Sequence, residues 1–214
     1  MGIRSFLDIE RQFSFYGAYH HNPVRTVNVA IHITCVPLIM LTSFQFNTLS
    51  WAQIPCLSSL EYPLSSYLPP DICTISALIY STLYILMDPA AGTALAFIVM
   101  SLAGLAHAIT AHLGATLAFR ACLGVHVIAW IAQFVGHGVY EGRAPALLDN
   151  LVQALFLAPI FVWLEVLFMC GYKPELKGRV DRVIAREMSK FRAEKLQGAK
   201  ERRSAMNAKN KKGE

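Results

Sequence analysis

The chain has 214 residues, 55% of them hydrophobic and only 15% charged, with a formal net charge of +5. A soluble domain carries about 25% charged residues and 45–50% apolar ones, so these proportions argue against a water-soluble globule and for an integral membrane protein. The charge is segregated: residues 1–172 hold five Lys and Arg against eight Asp and Glu, and residues 173–214 hold fourteen against six. A basic tail beside a membrane domain meets membrane lipids with anionic headgroups. No nucleic-acid-binding motif accompanies the charge, so nucleic acid is not an expected partner.

Residues 3–19 predict an amphipathic helix. Ile3, Phe6, Leu7, Phe13 and Tyr16 share a broad face, with Arg4, Asp8, Arg11 and Gln12 largely elsewhere. Such a helix lies in the membrane interface, and Asn22-Pro23 ends it. The first 23 residues carry charges throughout and have no apolar core of the length a signal peptide needs.

Five apolar blocks follow, at residues 27–46, 72–87, 90–109, 115–135 and 151–170. Each is close to the roughly 20 residues a membrane span requires. The connection at 47–70 is rich in Ser and Pro and has no Lys or Arg, and Asp88-Pro89 makes a turn. From residue 173 the composition changes to Lys, Arg, Glu, Ala and Gln, predicting a solvated helix that ends in a disordered AMNAKNKKGE. The expected organisation is a helical membrane domain over 1–172 and a basic cytoplasmic helix and tail over 173–214.

The positive-inside rule sets the orientation. The basic tail and Arg4, Arg11 and Arg25 put both termini in the cytoplasm, and the 47–70 loop on the other side. Two cytoplasmic ends need an even number of crossings. The expected fold is therefore all-α and polytopic, with about four spans and one re-entrant or interfacial segment. The fifth block, which contains Pro159 and Glu165, is the best candidate for the exception.

The five cysteines, Cys35, Cys56, Cys73, Cys122 and Cys170, include no CxxC pair and mostly lie inside apolar runs. They read as small membrane hydrophobes, with a Cys56–Cys73 disulfide as the alternative if that loop faces an oxidising lumen. The seven histidines, His20, His21, His32, His107, His112, His126 and His137, say more. An ionisable group at membrane depth is costly and usually marks a functional site, and imidazole suits iron, zinc, copper and nickel. Asn28 and His32 are four apart, as are Gln133 and His137, and His137 and Glu141, so each pair shares a helix face. His126 and His137 also share a face but stand roughly 16 Å apart on an unbroken helix. They meet at one metal only if the helix breaks at Gly136-His137-Gly138. His107 and His112 are about 140° apart on a helix and are weaker candidates. The competing reading of all these histidines is a hydrogen-bonded network between helices.

Two stretches carry a family resemblance. One is Tyr19-His20-His21-Asn22-Pro23 followed by His32. The other runs Trp130-Ile131-Ala132-Gln133-Phe134-Val135-Gly136-His137-Gly138-Val139-Tyr140-Glu141-Gly142-Arg143-Ala144-Pro145-Ala146-Leu147 and continues into Leu148-Asp149-Asn150. Together they resemble the 2-hydroxy fatty acid dioxygenase family of fungi and bacteria, over roughly residues 5–172. The resemblance implies an Fe²⁺-dependent enzyme at the endoplasmic reticulum membrane, acting in fatty acid α-oxidation and sphingoid base breakdown. It implies that a 2-hydroxy fatty acid and O₂ are consumed and a fatty acid one carbon shorter is formed. By motif, its metal-binding histidines correspond to His20, His21, His32, His126 and His137. Arg143 is a candidate for pairing with the substrate carboxylate, because a guanidinium fork matches it. Glu141 is a candidate for ligating iron or orienting His137, and Asn28 and Gln133 for outer support. Asp149 and Asn150 read as caps of the fifth helix.

Two other functions remain as alternatives. A non-catalytic membrane scaffold or lipid-binding protein would hold no metal. A di-iron lipid hydroxylase would need HxxxH and HxxHH groups, and the sequence has neither.

Overall fold

A computed structural model describes residues 7–17, 25–49, 60–141 and 151–210. The helices are α1 (Ile9–Gly17), α2 (Arg25–Phe46), α3 (Ile72–Met87), α4 (Pro89–Leu113), α5 (Ala115–Val135), α6 (Leu151–Met169) and α7 (Pro174–Asn210). A π-helical turn, Gly136–Glu141, continues α5. There is no strand among the described residues. The apolar blocks read from the sequence match α2 to α6 to within a few residues.

Local chemistry sets the boundaries. Asp71 caps α3, its side chain accepting from the Thr74 N–H. Asp88 caps α4, accepting from the N–H groups of Ala90 and Ala91, with Pro89 in the first turn. There the missing proline N–H costs nothing, because it would have no helical partner. Gly114, at φ 72°, makes the tight reversal from α4 to α5, in a region of φ that favours glycine.

Contacts fix the directions of the helices. α5 runs antiparallel to α2. Phe46 meets Phe119 near one end, with ring centroids 5.6 Å apart, and His32 meets His137 near the other. α3 doubles back along α2, where Phe44 meets Tyr80, and α4 returns so that Gln45 donates to Thr110. α6 descends against α2 and α4 and touches α3 at its start: Phe156 stacks on Tyr80 of α3 at 4.6 Å, Trp163 donates to the Ala91 carbonyl of α4, and Tyr172 beyond its end donates to Asp88. The chain thus leaves the π turn and arrives at Tyr172 at the same end of the bundle.

Length and composition agree with a membrane setting. α2, α4 and α5 are long and apolar enough to span a bilayer, α3 is a shorter apolar helix, and a 120° bend separates α6 from α7. Large apolar side chains on α4 and α5 face outward, among them Phe97 at 72% exposure and Ile128 at 68%. A monomeric soluble protein rarely shows such a belt. Inside, α3 and α4 meet through small residues: Ala77, Ala91, Ala103 and Ala106 are fully or almost fully buried. Small residues let membrane helices approach closely. At Gly92 a Cβ would overlap the backbone of Tyr84 and Ile85.

Two features depart from the sequence reading. Packing crosses the boundary expected at residue 173: Leu176, Val180 and Ile184 on α7 are buried in the same core as Ile9 and Phe13 of α1. Their spacing of four makes one apolar stripe, and Arg179 Nε reaches Glu10 Oε1 at 2.6 Å beside it. Gln12, placed on the polar face of the first helix, is fully buried, because α1 is covered by α6 and α7 instead of lying alone on a membrane surface. α7 also continues to Asn210, through residues expected to be disordered. Its last two turns contain Ala, Arg, Lys and Met, all good helix formers.

Candidate metal centre

Two imidazoles from distant parts of the sequence meet inside the bundle. His32 on α2 is 4% exposed and His137 on the π turn 9%. Their Nε2 atoms are 3.2 Å apart and their rings stand at 82°. His32 Nδ1 lies 2.8 Å from the Asn28 carbonyl oxygen. That carbonyl can only accept, so Nδ1 carries the proton and the Nε2 lone pair of His32 points toward His137. Metal-ligating histidines almost always donate their second ring N–H to a carbonyl or carboxylate in this way. The contact between Asn28 and His32 runs through the Asn28 backbone oxygen.

The local sequence explains the approach. Gly136 packs directly on α2: a Cβ there would overlap the Asn28 side-chain oxygen and crowd Ile31. Gly136 and Gly138 flank His137, and the chain answers with a π turn in place of a break. Turns of this kind within α-helices occur frequently at functional sites. Gln133, one turn before His137, is 5% exposed, and its Oε1 has no hydrogen-bond partner among the described residues.

His126 does not join the pair. Its Nδ1 is 2.7 Å from Thr42 Oγ1, and its Nε2 accepts from Trp130 Nε1 at 2.9 Å. Thr42 lies ten residues beyond His32 on α2, a rise of roughly 15 Å. Because the π turn widens α5 without breaking it, the two histidines of α5 stay far apart. Both ring nitrogens of His126 are thus occupied, Nδ1 across to Thr42 of α2 and Nε2 within α5 by Trp130. His20, His21 and Arg143 lie outside the described residues, as does the side chain of Glu141.

A cavity of about 210 Å³ opens between α2, α4 and α6. Val36, Pro37 and Met40 line it from α2, Leu95 and Leu102 from α4, and Pro159 and Trp163 from α6. Val36 sits one helical turn from His32. The walls are almost wholly apolar, so the cavity suits an alkyl chain and offers no hydrogen bonds to a polar ligand.

Sequence reasoning missed two charged or donor-rich groups. Asp88 is 3% exposed and receives Tyr172 Oη at 3.0 Å and Lys173 Nζ at 2.8 Å, besides its capping bonds. Burial alone would raise its carboxyl. The hydrogen bonds from Lys173, the Ala91 N–H and Tyr172 outweigh burial and hold it below the usual range. The Lys173 ammonium is raised, chiefly by its bond to Asp88. The only signal in the sequence was Asp88-Pro89 itself. The second group is Asp71, Cys73 and His107, which offer three ligand atoms within 4.8 Å of one another.

A polytopic helical membrane protein with two convergent imidazoles, one of them oriented by a backbone carbonyl, beside an apolar cavity belongs to the class of membrane proteins with a buried histidine centre. The particular family follows from comparison. A family model described as "2-hydroxy-palmitic acid dioxygenase Mpo1-like" matches residues 6–170, and the chain belongs to this Mpo1-like family. It is similar to the 2-hydroxy-palmitic acid dioxygenase MPO1 of Saccharomyces cerevisiae, 35% identical over 177 residues that cover 82% of this chain and 88% of that protein. No solved structure matches. The resemblance carried by the two sequence motifs is therefore that of a true relative.

Proposed function

We propose that this chain is an Fe²⁺-dependent dioxygenase that takes a 2-hydroxy fatty acid and O₂ and forms a fatty acid one carbon shorter. The observation that carries the reading is the His32–His137 pair, buried, with both Nε2 atoms facing one point and His32 oriented by the Asn28 carbonyl. Membership in a family described by dioxygenase activity supports it, and the scaffold reading has no comparable support.

His32 and His137, with His20 and His21 from the first motif, would hold the iron, and His126 is left to helix packing. Bound iron would supply a template for the adjacent carboxylate and hydroxyl of the substrate and redox chemistry with O₂. The chain's own residues do the rest. The Asn28 carbonyl fixes the His32 tautomer, leaving Nε2 unprotonated and able to donate its lone pair. Gly136 sets the depth to which His137 enters the bundle. Arg143 would pair with the substrate carboxylate and Glu141 would orient His137. The apolar walls from Val36 to Trp163 would take the alkyl chain and keep water away from it. Metal analysis of the detergent-purified protein, with O₂ uptake on adding 2-hydroxypalmitate, tests the reading. Protein that binds iron at no more than trace levels and consumes no O₂ would overturn it.

The endoplasmic reticulum membrane is the location implied by the family resemblance, and the segregated charge supports both termini in the cytoplasm. Glycosylation acceptor sites placed in the 60–69 loop and near Glu214 test the orientation. Modification of the C-terminal site would refute it.

A further inference from the structure

We propose that Asp71, Cys73 and His107 form a second metal site, specific for a zinc-like divalent transition metal, at the opposite end of the bundle from the His32–His137 pair. Asp71 and Cys73 open α3, and His107 lies near the end of α4. One ligand atom from each can be chosen so that all three lie within 4.8 Å of one another. Atoms bound to one small cation need this closeness, since zinc sits roughly 2.0–2.3 Å from its nitrogen, oxygen and sulfur ligands.

The three groups are not explained by their other contacts. His107 Nε2 is buried and has no hydrogen-bond partner. The nearest carboxylate oxygen, Asp71 Oδ2, is 3.5 Å away, too long for a good hydrogen bond. Asp71 uses its other oxygen, Oδ1, to cap α3 at Thr74, so Oδ2 is the one turned to the histidine. Cys73 is a free thiol with no exposed surface. The Thr74 hydroxyl beside it is also buried without a partner. One turn on from His107, the Thr110 hydroxyl joins Gln45 and Thr48, so this end of the bundle is polar. An orphaned imidazole nitrogen next to a buried carboxylate is costly unless something binds between them.

Charge selects the class of ion. On binding, the Cys73 thiol loses its proton, and His107 stays neutral. Thiolate and carboxylate together then balance a divalent cation, which leaves the buried site neutral. A thiolate with an imidazole favours zinc-like metals over Mg²⁺ or Ca²⁺, which take oxygen ligands. Three protein donors leave a fourth position for water. The ion would tie the start of α3 to the end of α4. The Asp88 turn already closes the other end of that hairpin, so metal here fastens its open end.

The test uses the full-length chain in detergent, stripped by a chelator and titrated with Co²⁺. A near-ultraviolet thiolate-to-cobalt absorption band should appear, saturate at about one equivalent per chain and vanish on adding Zn²⁺. Cys73→Ser should abolish the band, and His107→Gln should weaken Co²⁺ binding at least about 10-fold. His32→Ala and His137→Ala should leave the band intact, since that pair contains no thiolate. A wild-type protein that shows no such band overturns the proposal without reference to any variant. A band that survives unchanged in Cys73→Ser also overturns it.

Discussion

His32 and His137 stand 105 residues apart in the chain and bring their Nε2 atoms to 3.2 Å of each other inside the bundle. Two neutral imidazoles can share one proton across that distance, or both can give their lone pairs to one cation. The cation reading makes a sharp distinction among the histidines. His137→Ala and His32→Ala should each lower iron affinity and turnover at least about 10–100-fold while the protein still inserts. His112, exposed at the end of α4, and His126, held by Thr42 and Trp130, should behave differently. His112→Ala and His126→Phe should keep the iron, the latter with a modest loss of stability from two hydrogen bonds. Iron per protein and product formation at matched expression decide the matter. Full iron in His137→Ala, or none in His126→Phe, contradicts this assignment.

The cavity between α2, α4 and α6 makes a prediction about chain length. Leu102→Trp fills part of it without touching the imidazoles. Activity on 2-hydroxypalmitate should fall several-fold, with a much smaller change for a short 2-hydroxy acid. KM and kcat for both substrates measure this. An equal loss on the two would mean that the alkyl chain runs elsewhere.

Much of the fold was legible because the bilayer imposes its own length scale. The five apolar blocks became α2 to α6, and the fifth ends in a 120° bend. His32 and His137 were legible as candidates because they sit in motifs and at membrane depth. What the sequence could not show was direction in space. His126 shares a helix face with His137, yet the rise along α5 carries it to Thr42. Asp71, Cys73 and His107 come from two helices whose pairing no local pattern announces. The stripe of Leu176, Val180 and Ile184 was hidden by the high charge around it, which made the whole segment read as solvated.

The Asp88–Lys173 contact predicts a pH dependence of stability. The Asp88 carboxyl is held below its ordinary range, so the folded state binds that proton less readily than the unfolded one. Its contribution is present above about pH 4 and is lost as the pH falls through the lowered value. Lys173 is raised, so its contribution holds below about pH 10.4 and fades only above it. Between these limits the pair should give no pH dependence. Lys173→Met should cost about 1 kcal/mol, because the lysine is half exposed and screened. Asp88→Ala should cost more, since it also removes the cap of α4. Thermal unfolding in detergent reads both changes, and equal melting temperatures for wild type and Asp88→Ala would refute the role given to this contact.

The basic helix should divide functionally within itself. Leu176, Val180 and Ile184 are buried against the core that includes Ile9 and Phe13, and burying each such side chain contributes about 1.5–3 kcal/mol. Beyond them, from Lys190 to Asn210, the described side chains are largely exposed, and that stretch lies outside the region matched by the family. A chain ending after Lys190 should fold, insert and retain specific activity within a few-fold. A chain ending after Lys173 loses the whole apolar stripe and the Arg179–Glu10 ion pair, and should be unstable or degraded. Expression level, melting temperature and turnover of the two truncations separate these cases. Loss of activity in a well-folded chain ending at Lys190 would mean that the tail takes part in catalysis. A stable, active chain ending at Lys173 would mean that α1 does not need α7 to hold its place.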